Sequence, residues 1–165
     1  MSLYLFRHGD SHPVGEEGIG TDEERTLTPR GITETREACE GLVRLGVKGD
    51  EIWSSPLLRA RQTADILAQV LGIERIEVRS GLALPEEMGD LFTALSEVPP
   101  DRNLFLVGHQ PYLGDWVSLL VSGTSEGEVA ISKSGVARIE LSAGRKPPRG
   151  ELRWLLTPNL LRRHV

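Results

Sequence analysis

Asn103-Leu104-Phe105-Leu106-Val107-Gly108-His109-Gln110-Pro111 is the stretch that decides the architecture. Its apolar run is continuous rather than alternating. That is the pattern of a strand covered on both faces, as in a parallel sheet. A helix is expected after it, over residues 111–121. Working outward, Leu3-Tyr4-Leu5-Phe6 repeats the pattern near the amino end and runs into Arg7-His8-Gly9. Glu51-Ile52-Trp53-Ser54 reads as another short strand, and residues 75–78 as one more.

Helical signals lie between these runs. Thr28-Pro29 is a start signal, a capping Thr followed by a Pro suited to the first helical position. Ile32, Thr35, Ala38, Cys39, Leu42 and Val43 then recur at helical spacing, and Gly46 supplies the stop. Ser55-Pro56 repeats the start signal. Leu57, Ala60, Ala64, Leu67, Ala68 and Leu71 share one face before Gly72. Residues 90–98 read as a third helix, closed by Pro99-Pro100. Residues 136–141 and 151–156 alternate in polarity across a Gly/Pro-rich turn, which predicts an antiparallel pair. Strands alternating with helices predict an α/β protein, a three-layer α/β/α sandwich with a mostly parallel central sheet. The 165 residues contain no repeat, low-complexity tract or linker and are read as a single domain, residues 1–165.

Composition narrows the function. The formal net charge of −5 argues against a general nucleic-acid binder, so no nucleic-acid partner is expected. Cys39 is the single cysteine, so no internal disulfide can form, which fits a reducing cytoplasm. The amino-terminal apolar run is too short for a signal peptide, and no run approaches the ~20 residues of a membrane span. No membrane partner is expected.

The chemistry lies just past the end of each strand. The first strand leads into Arg7-His8-Gly9, the second into Ser55-Pro56 with Arg59 in the next helix, and the strand at 103–107 into Gly108-His109. Ligands of open α/β sheets bind outside the carboxyl ends of the strands. Parallel neighbours would bring Arg7, His8, Arg59 and His109 together at one edge. Arginine presents a planar fork of donors that suits phosphate oxygens. A helix beginning at Pro56 would add its positive end near Arg59. Gly9 would let the backbone turn tightly behind His8 and approach a ligand. Two fixed cations would hold His8 neutral, and a neutral imidazole can attack phosphorus to give a covalent phosphohistidine. Alone, a His after a strand is ordinarily structural and an Arg at a helix start ordinarily solvated; the conjunction points to a site. His12 and His164 lack that setting and are read as incidental. A metal site would recruit Asp10, His12 and Asp115, but two arginines at the same edge would repel the ion, so no metal is expected. No nucleotide-binding glycine motif is present.

These residues resemble the histidine phosphatase superfamily, which includes phosphoglycerate mutases and acid phosphatases, and within it the SixA-type phosphohistidine phosphatases. The resemblance rests on Leu5-Phe6-Arg7-His8-Gly9-Asp10, Arg25-Thr26-Leu27-Thr28 with Gly31, Ser55-Pro56-Leu57-Leu58-Arg59-Ala60-Arg61-Gln62-Thr63, Val107-Gly108-His109-Gln110-Pro111, Lys133-Ser134-Gly135-Val136 and Trp154-Leu155-Leu156-Thr157-Pro158-Asn159-Leu160. It implies a phosphoglycerate mutase-like sandwich, His8 as the phosphorylated nucleophile, and Arg7, Arg59 and His109 as the phosphate pocket. It also implies that Arg25 faces that pocket and that no organic cofactor or metal takes part.

Many members carry a carboxylate proton donor after the second helix. Here Glu86 and Glu87 are the candidates, with a solvated acidic loop as the alternative. An alkoxide leaving group needs a well-placed proton, whereas imidazole leaves readily from phosphohistidine. The expected partner is therefore a protein carrying phosphohistidine. A small-molecule phosphomonoesterase acting on a sugar or nucleotide phosphate, and a non-catalytic phosphate-binding module, are the alternatives. The loop between Asp10 and Leu27, with Glu16, Glu17, Asp22, Glu23 and Glu24, would bias partner choice by charge or be simply solvated.

Overall fold

The computed structural model describes residues 1–16, 18–83 and 88–163. Its elements are β1 (Ser2–Arg7), α1 (Pro29–Arg44), β2 (Glu51–Ser54), α2 (Leu58–Leu71), β3 (Ile76–Val78), α3 (Met88–Glu97), β4 (Asn103–Gly108), α4 (Tyr112–Ser122), β5 (Val136–Leu141), β6 (Gly150–Leu156) and α5 (Pro158–Arg163), with a 3₁₀ turn at Ser80–Leu82. The strands form one sheet in the order β3-β2-β4-β1-β5-β6. The first four are parallel, and β5 and β6 run antiparallel at one edge.

Side chains on successive strand residues point to opposite faces, and this divides the apolar runs between two cores. Leu3 and Leu5 of β1 and Leu104 and Leu106 of β4 pack with Leu91 and Leu95 of α3 and Leu113, Trp116 and Leu120 of α4. Tyr4 and Phe6 of β1 and Phe105 and Val107 of β4 pack with Ala38 and Leu42 of α1, Ala60 and Leu67 of α2 and Leu161 of α5. The unbroken apolar runs are thus strands covered on both faces, and the expected α/β/α sandwich is the observed one. No described helix is long and apolar enough to cross a membrane.

Thr28 caps α1 as its sequence indicates, its Oγ1 accepting the Gly31 N–H at 2.9 Å with Pro29 the first helical residue. Two helix expectations need correction. The first concerns the margins of the buried face of α1. Ile32 and Val43 are 41% and 48% exposed. Thr35, Ala38, Cys39 and Leu42 are buried as their spacing indicates, and Gly31 and Gly41 join them in the buried stripe. A Cβ at Gly31 would lie 2.0 Å from the Asp10 carbonyl oxygen, and one at Gly41 2.3 Å from that of Leu161. Apolar periodicity overlooks glycine, yet here glycine makes the closest backbone contacts. The second concerns the start of α2, which is Leu58 rather than Pro56. Ser55 Oγ instead accepts the Leu57 N–H at 3.3 Å, so Ser55 and Pro56 form a separate turn. Gly72 ends α2 with φ 70°, a left-handed conformation natural to glycine.

Candidate active site

Sheet order brings the expected residues together. β4 lies between β1 and β2, and all three run the same way. Arg7 is level with Gly108, and Ser54 with Val107. The next residues continue these alignments: the His8 N–H donates to Gly108 O at 3.1 Å, and the Ser55 N–H to Val107 O at 2.9 Å. The His8 and His109 rings therefore stand side by side at the carboxyl edge, centroids 5.0 Å apart and planes inclined at 52°.

His8 Nδ1 lies 2.7 Å from the Gly9 carbonyl oxygen. A carbonyl only accepts, so the contact places the ring proton on Nδ1 and leaves the lone pair on Nε2. Burial lowers the His8 pKa from 6.5 to about 3, with the charges of Arg59 and Arg7 adding to the effect and the Gly9 bond opposing it. The cations help hold His8 neutral as anticipated, but loss of water is the larger cause. His109 is likewise lowered to about 4, by burial first and then by Arg59. Its Nε2 lies 2.7 Å from Ser55 Oγ. Its Nδ1 is buried without a hydrogen-bond partner among the described residues.

Arg7 is anchored by a 2.8 Å bond from Nη1 to Ile131 O, and its charge bears on both imidazoles. Arg59 enters from the first turn of α2 with its side chain 7% exposed. Gly9 serves a purpose different from the one expected. A Cβ there would lie 2.3 Å from Thr35 Oγ1 and 3.1 Å from Gly31 O. The residue is small because the start of α1 packs against it. Its N–H donates to Thr63 Oγ1 at 3.1 Å, and the Thr63 hydroxyl donates to Arg59 O at 2.8 Å, which ties the His8 segment to α2.

Arg25 does reach this edge. It donates through Nε to His12 O at 2.7 Å, through Nη2 to Ser11 Oγ at 2.9 Å and through Nη1 to Asp22 Oδ1 at 2.9 Å. Its charge acts on His109. Glu86, Glu87 and His164 lie outside the described residues. His12 is buried within the loop. Asp10 is engaged by Lys133 at 2.6 Å and Thr28 at 3.1 Å. Among the described residues no group of three or more His, Cys, Asp or Glu side chains could hold a metal ion.

Sequence reasoning missed three participants. Ser55, a polar residue just past a strand, reads in the sequence as a helix signal and part of a family segment, with no role at the site assigned to it. Thr63 faces inward one turn after Arg59, a spacing that was open to notice. Asp22 was one acid among five in the loop, and nothing local set it apart. Yet its main-chain oxygen and Oδ2 accept from Arg59 Nη1 and Nη2 at 2.7 and 2.9 Å.

The site thus places a neutral imidazole with a free Nε2 beside a second neutral imidazole and guanidinium groups. Such a set can offer a nucleophile and donors to a group bearing several anionic oxygens. Residues 3–110 match the family model described as histidine phosphatase superfamily, branch 1. An uncharacterized protein of Picosynechococcus is 38% identical over 147 residues, covering 88% of each chain. The mitochondrial serine/threonine-protein phosphatase Pgam5 of Drosophila persimilis is 31% identical over 114 residues, 69% of this chain but only 32% of that longer protein. The solved structure of the protein histidine phosphatase SixA complexed with tungstate superposes with a TM-score of 0.81 at 25% identity, covering 96% of this chain and 98% of that one. By its family model, with the likeness to the SixA structure beside it, this chain belongs to the histidine phosphatase superfamily, and its activity class is that of a phosphatase.

Proposed function

We propose that the chain removes phosphoryl groups through a covalent intermediate on His8, with phosphohistidine in proteins as the substrate. The observation that carries this reading is the His8 Nδ1–H bond to Gly9 O at 2.7 Å, which leaves Nε2 as the attacking atom. Nε2 donates its lone pair to phosphorus. The bond from phosphorus to the substrate imidazole breaks and its electron pair leaves with that nitrogen; the substrate ring, protonated on its other nitrogen, departs as neutral imidazole. The His8 ring gains positive charge, which the Gly9 carbonyl stabilises through Nδ1–H. Water then attacks phosphorus, the P–Nε2 bond breaks, and inorganic phosphate departs. Arg7 and Arg59 bind the peripheral oxygens, where charge accumulates. Ser55 occupies His109 Nε2, and Nδ1 is the ring atom left without a hydrogen-bond partner among the described residues. Arg25, whose charge acts on His109, adds positive charge at the pocket.

Two considerations support phosphohistidine over a phosphate ester. Imidazole is a good leaving group, so the reaction does not depend on a strong general acid. The SixA structure superposes with a TM-score of 0.81 at 25% identity, against 0.76 at 20% for a putative alpha-ribazole-5'-P phosphatase of Escherichia coli, each over nearly the whole chain. The test compares hydrolysis of a phosphohistidine protein with that of a panel of sugar, nucleotide and serine phosphates, with His8→Ala as control. Selective turnover of phosphohistidine, lost in His8→Ala, is expected. Selective turnover of one small phosphorylated metabolite would replace this substrate assignment. Phosphate binding without turnover of anything would leave only a binding module. An acid-labile phosphoenzyme that persists in His8→Ala would refute the nucleophile.

A further inference from the structure

Asp22 stands out from the other acids of its loop because its oxygens occupy both terminal nitrogens of Arg59. The main-chain oxygen accepts from Nη1 at 2.7 Å and Oδ2 accepts from Nη2 at 2.9 Å, while Oδ1 accepts from Arg25 Nη1 at 2.9 Å. Three oxygens of one residue thus span two guanidiniums, as the three peripheral oxygens of a phosphoryl group would. The remaining route to bidentate binding on Arg59, through Nε, is closed because that atom is buried away from solvent. A phosphoryl group can take the Arg59 fork only if Asp22 releases it. Release is feasible, because the Asp22 side chain is 51% exposed and its carboxylate can pass into water.

We propose that Asp22 is an internal competitor for phosphate, a residue that sets the affinity and charge selectivity of the pocket. This inference rests on the proposed role of the pocket as a phosphate site. A carboxylate carries one negative charge, and the phosphoryl dianion carries two. The exchange therefore favours dianions and disfavours singly charged anions, which gain little over the resident carboxylate. Burial alone would raise the Asp22 pKa, but the hydrogen bonds and charges of Arg25 and Arg59 hold it below its ordinary value, so the competitor is ionised at neutral pH. Release of Asp22 O, a main-chain atom, requires the backbone at residue 22 to shift.

The test is calorimetric titration of inorganic phosphate and of tungstate into the wild-type chain and into Asp22→Asn, Asp22→Ala, Glu23→Gln and Arg59→Ala. Both Asp22 variants should bind each oxyanion about tenfold more tightly, the scale of one half-exposed charge-assisted contact removed. Glu23→Gln, which removes an equal charge from the same loop, should stay within about twofold. The KM for the phosphorylated substrate and the inhibition constant of product phosphate should fall with the Asp22 substitutions by the same factor. Unchanged or weaker binding in both Asp22 variants would overturn the proposal and make Asp22 a positioning residue for Arg59. An equal gain in Glu23→Gln would also overturn it, leaving only a diffuse field. Binding unaffected by Arg59→Ala, or no binding in any variant, would refute the phosphate site itself and this inference with it.

Discussion

Lowering the pH from 7.5 to 5.0 should cost the folded chain about 4 kcal/mol, carried by two imidazoles. In the unfolded chain His8 and His109 titrate at the ordinary 6.5, whereas in the fold they titrate at about 3 and about 4. Between those limits the unfolded state binds protons that the folded state refuses, so stability falls as the pH drops below 6.5. At pH 5.0 the unfolded pKa has been passed by 1.5 units, and at ~1.36 kcal/mol per unit each histidine contributes roughly 2 kcal/mol. The carboxylates do not confuse this window. Asp10, Asp22, Glu77 and Glu140 have folded pKa values below their ordinary ones. Their contribution is present above the unfolded carboxylate range and is lost only as the pH falls through their folded values. The assay is urea unfolding at the two pH values for the wild type, His8→Asn and His109→Gln. Asn can keep the bond from the Nδ1 position to Gly9, and Gln can reach Ser55. Each variant should lose about 2 kcal/mol less than the wild type on acidification. A wild-type loss retained in full by His8→Asn would refute the claim that His8 is held neutral by its surroundings.

The packing sets three other outcomes. Gly31→Ala should destabilise the fold by about 1–3 kcal/mol in urea unfolding, because its Cβ meets the Asp10 carbonyl 2.0 Å away; a change under about 0.5 kcal/mol would contradict that contact. Thr28→Ala should cost about 1 kcal/mol through the lost cap of α1, while Thr28→Ser should keep most of it. Cys39 is fully buried and burial pushes its thiol up to about 12. It should ignore a disulfide reagent in the native chain and react within minutes in denaturant; fast labelling of the native chain would contradict that burial.

The legible parts of this protein were those encoded by neighbouring residues. Residues 104–107 announced a covered strand because every position in that run fills a core on one face or the other. Thr28-Pro29 announced a helix because its cap bond spans only three residues. Ser55-Pro56 carried the same local signal and misled by two positions, since Ser55 is drawn instead to Leu57 and His109. The exposed Ile32 and Val43 misled for a related reason, because backbone contact at Gly31 and Gly41 sets the margins of the face of α1 that turns inward.

At the site, residue type and position were readable from the sequence alone. Arg7, His8, Arg59 and His109 each lie at or just past a strand end, and a parallel sheet with that order brings strand ends together. The sequence also supplied the family resemblance. Tertiary structure decided the rest, because the deciding contacts join distant segments or depend on depth. Only folding shows that loss of water, more than the nearby cations, keeps His8 neutral, since burial is a property of the whole packed chain. Only folding places Asp22 on Arg59, 37 residues further along, since both lie on polar segments whose meeting is set by how α1 and α2 pack.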